Sequence, residues 1–320
     1  MSSISDGSKS ALRLFFLTLA GVILGLMIYF LALAVVTTSG AIDPTDLAAV
    51  AESAGSRQTF RLLALLSNLL PFAGAALLAL LIVYRRRWRT AAGLDVGPQP
   101  HSVFWSVAFF VVSLPLVGYL AYHNLQMDLP DWAQASEEST DAVLRAVLQM
   151  DSVGEFLLAF LTVAVTPAVG EELLMRGVLQ RRVFRAWFGN PHAAIWIAAA
   201  LFSFVHFEFG GFAPRMLLGV LLGYAYYWSR SLWVPIGLHL AFNGLQVVSA
   251  YVSGEFDPAA TEADEVAWYL AAVSLLLTIV VGWQAETRFG HLTDDSLPHP
   301  TVAHGDVLDD TIIEEDPDNW

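Results

Sequence analysis

Long apolar segments alternate with short polar ones along this chain, and this pattern predicts its architecture. Segments of about 20 apolar residues can cross the hydrocarbon core of a bilayer as α-helices, and they lack the two-residue alternation of a membrane β-barrel. Eight segments are expected, at residues 11–36, 60–84, 102–122, 156–179, 193–207, 213–228, 232–252 and 266–283. The pattern predicts an all-α polytopic membrane protein, a bundle of about eight transmembrane helices.

The polar segments between the apolar ones differ in charge. Lys9 and Arg13 lie at the start of the first segment and arginines follow the second, fourth and sixth, whereas the remaining connections are rich in Asp and Glu. Since cytoplasmic loops carry the excess of Lys and Arg, we expect a multi-pass cell-membrane protein with both termini in the cytoplasm. Residues 285–320 are acidic and poor in apolar groups, so we expect a disordered cytoplasmic tail after one membrane-embedded domain at 1–284.

Composition agrees with this class of protein and narrows the chemistry. The chain is 56% hydrophobic with a mean hydropathy of +0.57. It contains no cysteine, which excludes disulfides, thiolate nucleophiles and cysteine-type zinc sites. The net charge of -14 argues against a nucleic-acid partner, and the expected surroundings are the lipid bilayer.

A few strongly polar residues interrupt the apolar segments. They are Glu171, Glu172, His206, His239 and Asn243. A charge near the bilayer centre costs about 2.5–3.5 kcal/mol on insertion scales, so such residues are functional candidates. Each one could instead serve only as an interhelical hydrogen bonder.

Helical spacing separates the roles of the two carboxylates. Glu172 and Arg176 are four residues apart on one face and are expected to pair, whereas Glu171 is rotated by about 100° and can face elsewhere. Glu172 is therefore expected to be structural and Glu171 chemical. Pro167 should free the carbonyl of Val163 and bend the helix beside Glu171.

Two further spacings predict local geometry. His239 and Asn243 are four residues apart, so they should point two donors at a common place. Gly219 and Gly223 form a G-x-x-x-G step, which predicts close packing of two helix backbones.

Three elements together resemble a known family. They are Glu171-Glu172-Leu173-Leu174-Met175-Arg176, then Phe202-Ser203-Phe204-Val205-His206, then His239-Leu240-Ala241-Phe242-Asn243. In this order they resemble the CPBP family, the CAAX prenyl proteases and bacteriocin-processing intramembrane endopeptidases also called the Abi family. The resemblance covers about residues 155–252, and Met175 departs from it where the family usually has an aromatic residue.

The resemblance implies hydrolysis of a peptide bond in a membrane-anchored peptide or protein, with a prenylated CAAX-like substrate as one candidate. Glu171, helped by His206, would activate a water molecule, while His239 and Asn243 would donate hydrogen bonds to the oxyanion. Glu172 and Arg176 would support the site. The arginines near the fourth and sixth segment ends suggest an opening on the cytoplasmic side.

Two other interpretations stay open. Glu171, His206 and His239 are also the ligand types of a catalytic zinc site, although no H-E-x-x-H motif is present and we favour a reaction without a cofactor. The polar cluster could instead belong to a membrane scaffold, an immunity protein or a transporter.

Overall fold

The computed structural model describes residues 6–254 and 265–290, and throughout these ranges the regular structure is helical, with no strand. The α-helices in chain order are α1 Asp6–Thr38, α2 Leu47–Glu52, α3 Ala54–Asn68, α4 Ala75–Tyr84, α5 Trp88–Ala92, α6 Pro100–Leu125, α7 Asp131–Leu148, α8 Val153–Phe160, α9 Thr166–Glu172, α10 Arg185–Phe188, α11 Pro191–Phe204, α12 Phe212–Ser229, α13 Trp233–Ser253 and α14 Trp268–Phe289. Each of the eight predicted segments coincides with helix over most of its length, so the predicted all-α architecture is confirmed.

Several helical stretches have the dimensions of membrane spans. Within the described ranges, five continuous stretches are long and apolar enough to cross a bilayer: Gly7–Thr38, Ala54–Ala92, Pro100–Leu125, Val153–Phe188 and Trp268–Phe289. The helix α11 is also apolar but shorter, at 14 residues. The chain is thus a multi-pass helical membrane protein, and eight crossings remain a prediction.

Three π-helical segments interrupt the α-helices within the described residues. They are Leu69–Gly74, Leu161–Val165 and Leu173–Phe184. The second one ends two residues before Pro167, and the N–H of the intervening Thr166 bonds the carbonyl of Leu161, five residues earlier. The interruption of regular α-helical bonding expected at Pro167 is therefore present.

Some predicted boundaries were wrong. The fifth segment was expected to be helical to residue 207, but α11 ends at Phe204 and His206 lies in the following turn. The backbone at Phe207 has a φ of 54°, which a right-handed helix cannot include. The hydroxyl of Ser203 also donates to the carbonyl of Phe212 at 2.7 Å, which ties α11 to α12 across this turn.

The acidic regions contain more helix than the hydropathy pattern indicated. The helices α2 and α7 lie in connections that were expected to be loops. The helix α14 continues to Phe289, so residues 285–289, which were predicted to belong to a disordered tail, are helical. Residues 291–320, the remainder of that predicted tail, lie outside the described residues.

Small residues bring α11 and α12 into close contact. A methyl group on Gly219 would lie 3.0 Å from Cβ of Ala199, and one on Gly223 would lie 2.7 Å from Cγ2 of Ile195. The helix packing predicted from the G-x-x-x-G step is confirmed. The carbonyl of Gly219 also accepts a hydrogen bond from Arg176 Nη2 at 2.9 Å, which ties α12 to the π-helical segment Leu173–Phe184.

The two ends of the bundle differ in charge as the sequence predicted. At the arginine-rich end, comprising Arg85–Arg87, Arg181, Arg182 and Arg230, Arg181 donates to the hydroxyl of Tyr226 and Arg182 to the carbonyl of Ala91, both at 2.8 Å. The acid-rich end comprises α7 and the start of α8. There Glu155 is buried against Arg57 and Arg61, at 2.9 and 3.7 Å.

Candidate active site

The carboxylate of Glu172 organises the centre of the site. Arg176 Nη1 donates to Glu172 Oε1 at 2.7 Å, and His239 Nδ1 donates to the same oxygen at 2.8 Å. Glu172 is fully buried, and its two partners are almost so. The guanidinium of Arg176 also lies over the ring of Phe202, 5.2 Å from its centroid. The predicted pairing of Glu172 with Arg176 is present, and the structure adds His239 to it.

This contact determines which nitrogen of His239 remains for chemistry. A carboxylate can only accept, so Nδ1 carries the proton and Nε2 faces the second carboxylate, 3.9 Å from Glu171 Oε2. In a neutral ring, Nε2 has only a lone pair to offer. His239 can donate a hydrogen bond from Nε2 only when both ring nitrogens are protonated.

Glu171 faces a different side of its helix from Glu172, as the 100° rotation predicted. Its side chain is buried, with Asn68 Nδ2 donating to Oε1 at 2.8 Å and Oε2 turned toward His239. Asn68 was missed by the sequence interpretation. The signal that could have found it is an amide inside the apolar second segment, the same signal that identified Asn243.

His206 reaches the site from the turn after α11. Its Nδ1 donates to the carbonyl of Phe202 at 2.7 Å, which leaves the lone pair of a neutral ring on Nε2. The turn itself is fixed by Asn124 near the end of α6, whose Nδ2 donates to the carbonyl of Phe209 at 2.7 Å and whose Oδ1 accepts from the N–H of Ala213 at 2.9 Å.

Asn243 has a structural contact that the sequence interpretation did not assign. Its Nδ2 donates to the carbonyl of Val163 at 3.1 Å, the carbonyl that Pro167 cannot bond. The amide thus braces the interrupted helix that carries Glu171. A side-chain NH₂ group has two N–H donors, so one stays available for a ligand.

All four predicted catalytic residues line one cavity of about 390 Å³. Pro167 and side chains of α6, α12 and α13 complete its walls, most of them apolar. Since Glu171, His206, His239 and Asn243 come from three separate stretches of chain, the fold assembles the cluster that the sequence only suggested.

The cavity extends toward the acid-rich end. Its lining includes Ala121 near the end of α6, Arg215 in the first turn of α12, and Gln246 about two turns beyond His239. The cavity therefore does not extend toward the arginine-rich end, where its opening was expected. The reason is that α11 rises about 21 Å from the arginine-rich end before the turn that holds His206.

The donor set has one of the two features that a zinc site requires. Both histidines have Nδ1 fixed and Nε2 available, the arrangement common in metal-binding histidines. Within residues 6–254 and 265–290, however, no three His, Asp or Glu side chains are grouped closely enough to hold one ion. Glu171, His206 and His239 thus do not fit a three-ligand zinc site in this arrangement.

The fold and the site together define a multi-pass helical membrane protein in which an acid, two imidazoles and an amide face one internal cavity. Residues 153–245 match the family model described as type II CAAX prenyl endopeptidase Rce1-like. The resemblance inferred from the three sequence elements is confirmed over this segment. The segment contains all of the predicted site residues and excludes Asn68.

Two curated relatives support the same assignment at modest identity. The chain is 32% identical over 96 residues to the membrane-embedded CAAX protease MroQ of Staphylococcus aureus (strain USA300), which covers 29% of this chain and 39% of MroQ. It is 24% identical over 143 residues to the uncharacterized protein YpbD of Bacillus subtilis (strain 168), covering 43% of this chain and 66% of YpbD. The matched region is less than two thirds of either relative. No solved structure matches the chain significantly.

Proposed function

We propose that this protein is an intramembrane endopeptidase that hydrolyses a peptide bond in a membrane-anchored substrate. The observation that carries the proposal is the single cavity lined by Glu171, His206, His239 and Asn243. The match to a family of endopeptidases over the segment that contains these four residues supports the reaction class.

Glu171 is the general base in the proposed mechanism. Its Oε2 lies 3.9 Å from Nε2 of His239, and both residues line the cavity. In the proposed reaction, Glu171 takes a proton from a water molecule as the water oxygen attacks the carbonyl carbon of the scissile bond. His206 helps to activate this water molecule through the lone pair on Nε2, the ring nitrogen that does not bond the Phe202 carbonyl. When the C–N bond breaks, Glu171 returns the proton to the leaving amine.

His239 and Asn243 stabilise the negative charge that develops on the carbonyl oxygen. His239 donates from Nε2 in its protonated form, in which the charges of His239 and Arg176 balance those of Glu171 and Glu172. Asn243 donates the N–H that does not bond Val163. Glu172 and Arg176 hold His239 in orientation and do not contact the substrate.

The substrate is proposed to be a membrane-tethered peptide, with a prenylated CAAX-like sequence as the first candidate. The names of the matched family and of MroQ point to this substrate class for those proteins. Largely apolar cavity walls would accommodate hydrophobic side chains beside the scissile bond. The substrate enters from the acid-rich end, because the cavity extends in that direction.

The test compares purified wild type with Glu171→Gln in lipid nanodiscs, using quenched fluorescent peptides with and without an isoprenoid group. Glu171→Gln should lower the rate by about 10²- to 10⁴-fold. The matched control is Glu138→Gln on the exposed face of α7, which should keep the wild-type rate. Cleavage at a near wild-type rate by Glu171→Gln would eliminate the proposed base.

Chelation separates this mechanism from the zinc alternative. The mechanism routes no step through a metal, so treatment with a strong chelator should leave the rate unchanged. Loss of activity on chelation, with recovery on adding zinc, would instead support the zinc-dependent mechanism. Identical proteome-wide cleavage patterns for wild type and Glu171→Gln would favour a scaffold, immunity or transport role.

A further inference from the structure

We infer that Asn68 is a positioning residue of the active site, which selects the oxygen of Glu171 that acts as the base. The inference rests on the proposed function of Glu171. Asn68 lies far from the other site residues in sequence and outside the segment matched by the family model. Its assignment therefore comes from the geometry alone.

The contact is direct and charge-assisted. Asn68 Nδ2 donates to Glu171 Oε1 at 2.8 Å, in an interior where a hydrogen bond to a carboxylate is stronger than one between neutral groups. One oxygen is thereby occupied, and the other, Oε2, is the one turned toward His239. Without this donor, the carboxylate could rotate and present either oxygen to the cavity.

The backbone on each side of this contact brings Asn68 close to Glu171. Asn68 is the last residue of α3, immediately before the π-helical segment Leu69–Gly74. A methyl group on Gly170 would lie 3.2 Å from the backbone nitrogen of Ala73 and 3.3 Å from Asn68 Oδ1. Because Gly170 has no side chain, the π-helical segment can approach the helix that carries Glu171.

Packing alone does not account for an asparagine at this position. Its Oδ1 is buried and accepts no hydrogen bond from any residue the structure describes. A buried acceptor without a partner destabilises a protein, and an apolar side chain of similar size would avoid that cost. The favourable feature of the amide is its donation to Glu171.

The experiment measures kcat and KM for Asn68→Leu, which has a similar volume but no donor. Because hydrogen bonds to charged groups are the stronger class, kcat should fall by about 10- to 100-fold while KM stays within about 2-fold. Asn68→Gln, which keeps the donor on a longer side chain, should recover part of the loss. Ser67→Ala, which removes the hydroxyl that bonds the Ala64 carbonyl, is the matched control and should keep kcat.

A second variant keeps the inference testable if Asn68→Leu does not fold. Asn68→Asp is isosteric but sets a carboxylate against Glu171, so kcat should fall further than in Asn68→Gln. Unchanged kcat in either Asn68→Leu or Asn68→Asp, or an equal loss in Ser67→Ala, would overturn the inference. In that case a large loss in Glu171→Gln would still sustain the proposed function, whereas an active Glu171→Gln would remove both.

Discussion

Replacing Arg176 by methionine tests the buried charge network. Arg176 is 1% exposed and Glu172 0%, and the arginine donates at 2.7 Å to the oxygen that also holds His239. Removing one partner leaves an uncompensated buried carboxylate, which typically costs about 3–5 kcal/mol. Arg176→Met should therefore lose about that much free energy of unfolding, while the exposed Arg86→Met should change it by less than about 0.5 kcal/mol.

Unfolding in mixed detergent micelles, followed by the fluorescence of the ten tryptophans, gives the measurement. The double variant Arg176→Met with Glu172→Gln removes the unpaired buried charge of Glu172, so it should be at least about 1 kcal/mol more stable than Arg176→Met alone. The double variant should still cleave the peptide slowly, because His239 loses the carboxylate that orients it. If Arg176→Met costs less than about 1 kcal/mol, Glu172 does not depend on the arginine and the reasoning fails.

Two further predictions concern packing and access. Gly219→Ala should destabilise the protein by about 1–3 kcal/mol in the same unfolding measurement, because its methyl group would press on Ala199. Gly237→Ala, whose added methyl group would meet no atom within 4 Å beyond its own stretch of helix, should be neutral or slightly stabilising, and equal effects would contradict the packing argument. Because the chain has no cysteine, Gln246→Cys in the cavity should react with a charged maleimide and Leu245→Cys on the outer surface, 71% exposed, should be protected by lipid. If Gln246→Cys reacts as slowly as the lipid-protected Leu245→Cys, water does not fill this part of the cavity.

Much of the fold follows from hydropathy because an apolar segment in lipid must satisfy its backbone within a helix. The same rule does not determine where a helix stops. The end of α11 coincides with the positive φ of Phe207 and with the contact of Ser203 with Phe212, and this contact requires the neighbouring helix. The polar helix α7 was missed for a related reason, since hydropathy does not distinguish a polar helix from a polar loop.

The members of the site were easier to predict than their contacts. Spacing along one helix predicts a pair such as Glu172 and Arg176, because both side chains project from the same helix. It cannot show that His239 shares the same oxygen, nor that Asn243 bonds the Val163 carbonyl, since these contacts join separate helices. Asn68 escaped notice because it has no partner at helical spacing, so its place inside an apolar segment was the one signal that the sequence offered.

The π-helical segment after Asn68 gives this part of the span a tolerance to chain length that the α-helices beside it lack. A π-helical turn holds one residue more than an α-helical turn, so the loss of a single residue from Leu69–Gly74 could be absorbed by a return to regular α-helix. The flanking residues would then keep about the same faces, because the extra residue of a π-helical turn adds no further rotation. In the α-helices on either side, the same loss would turn one part of the span against the other by about 100°. Loss of one codon could therefore be silent at this place and inactivating one turn away.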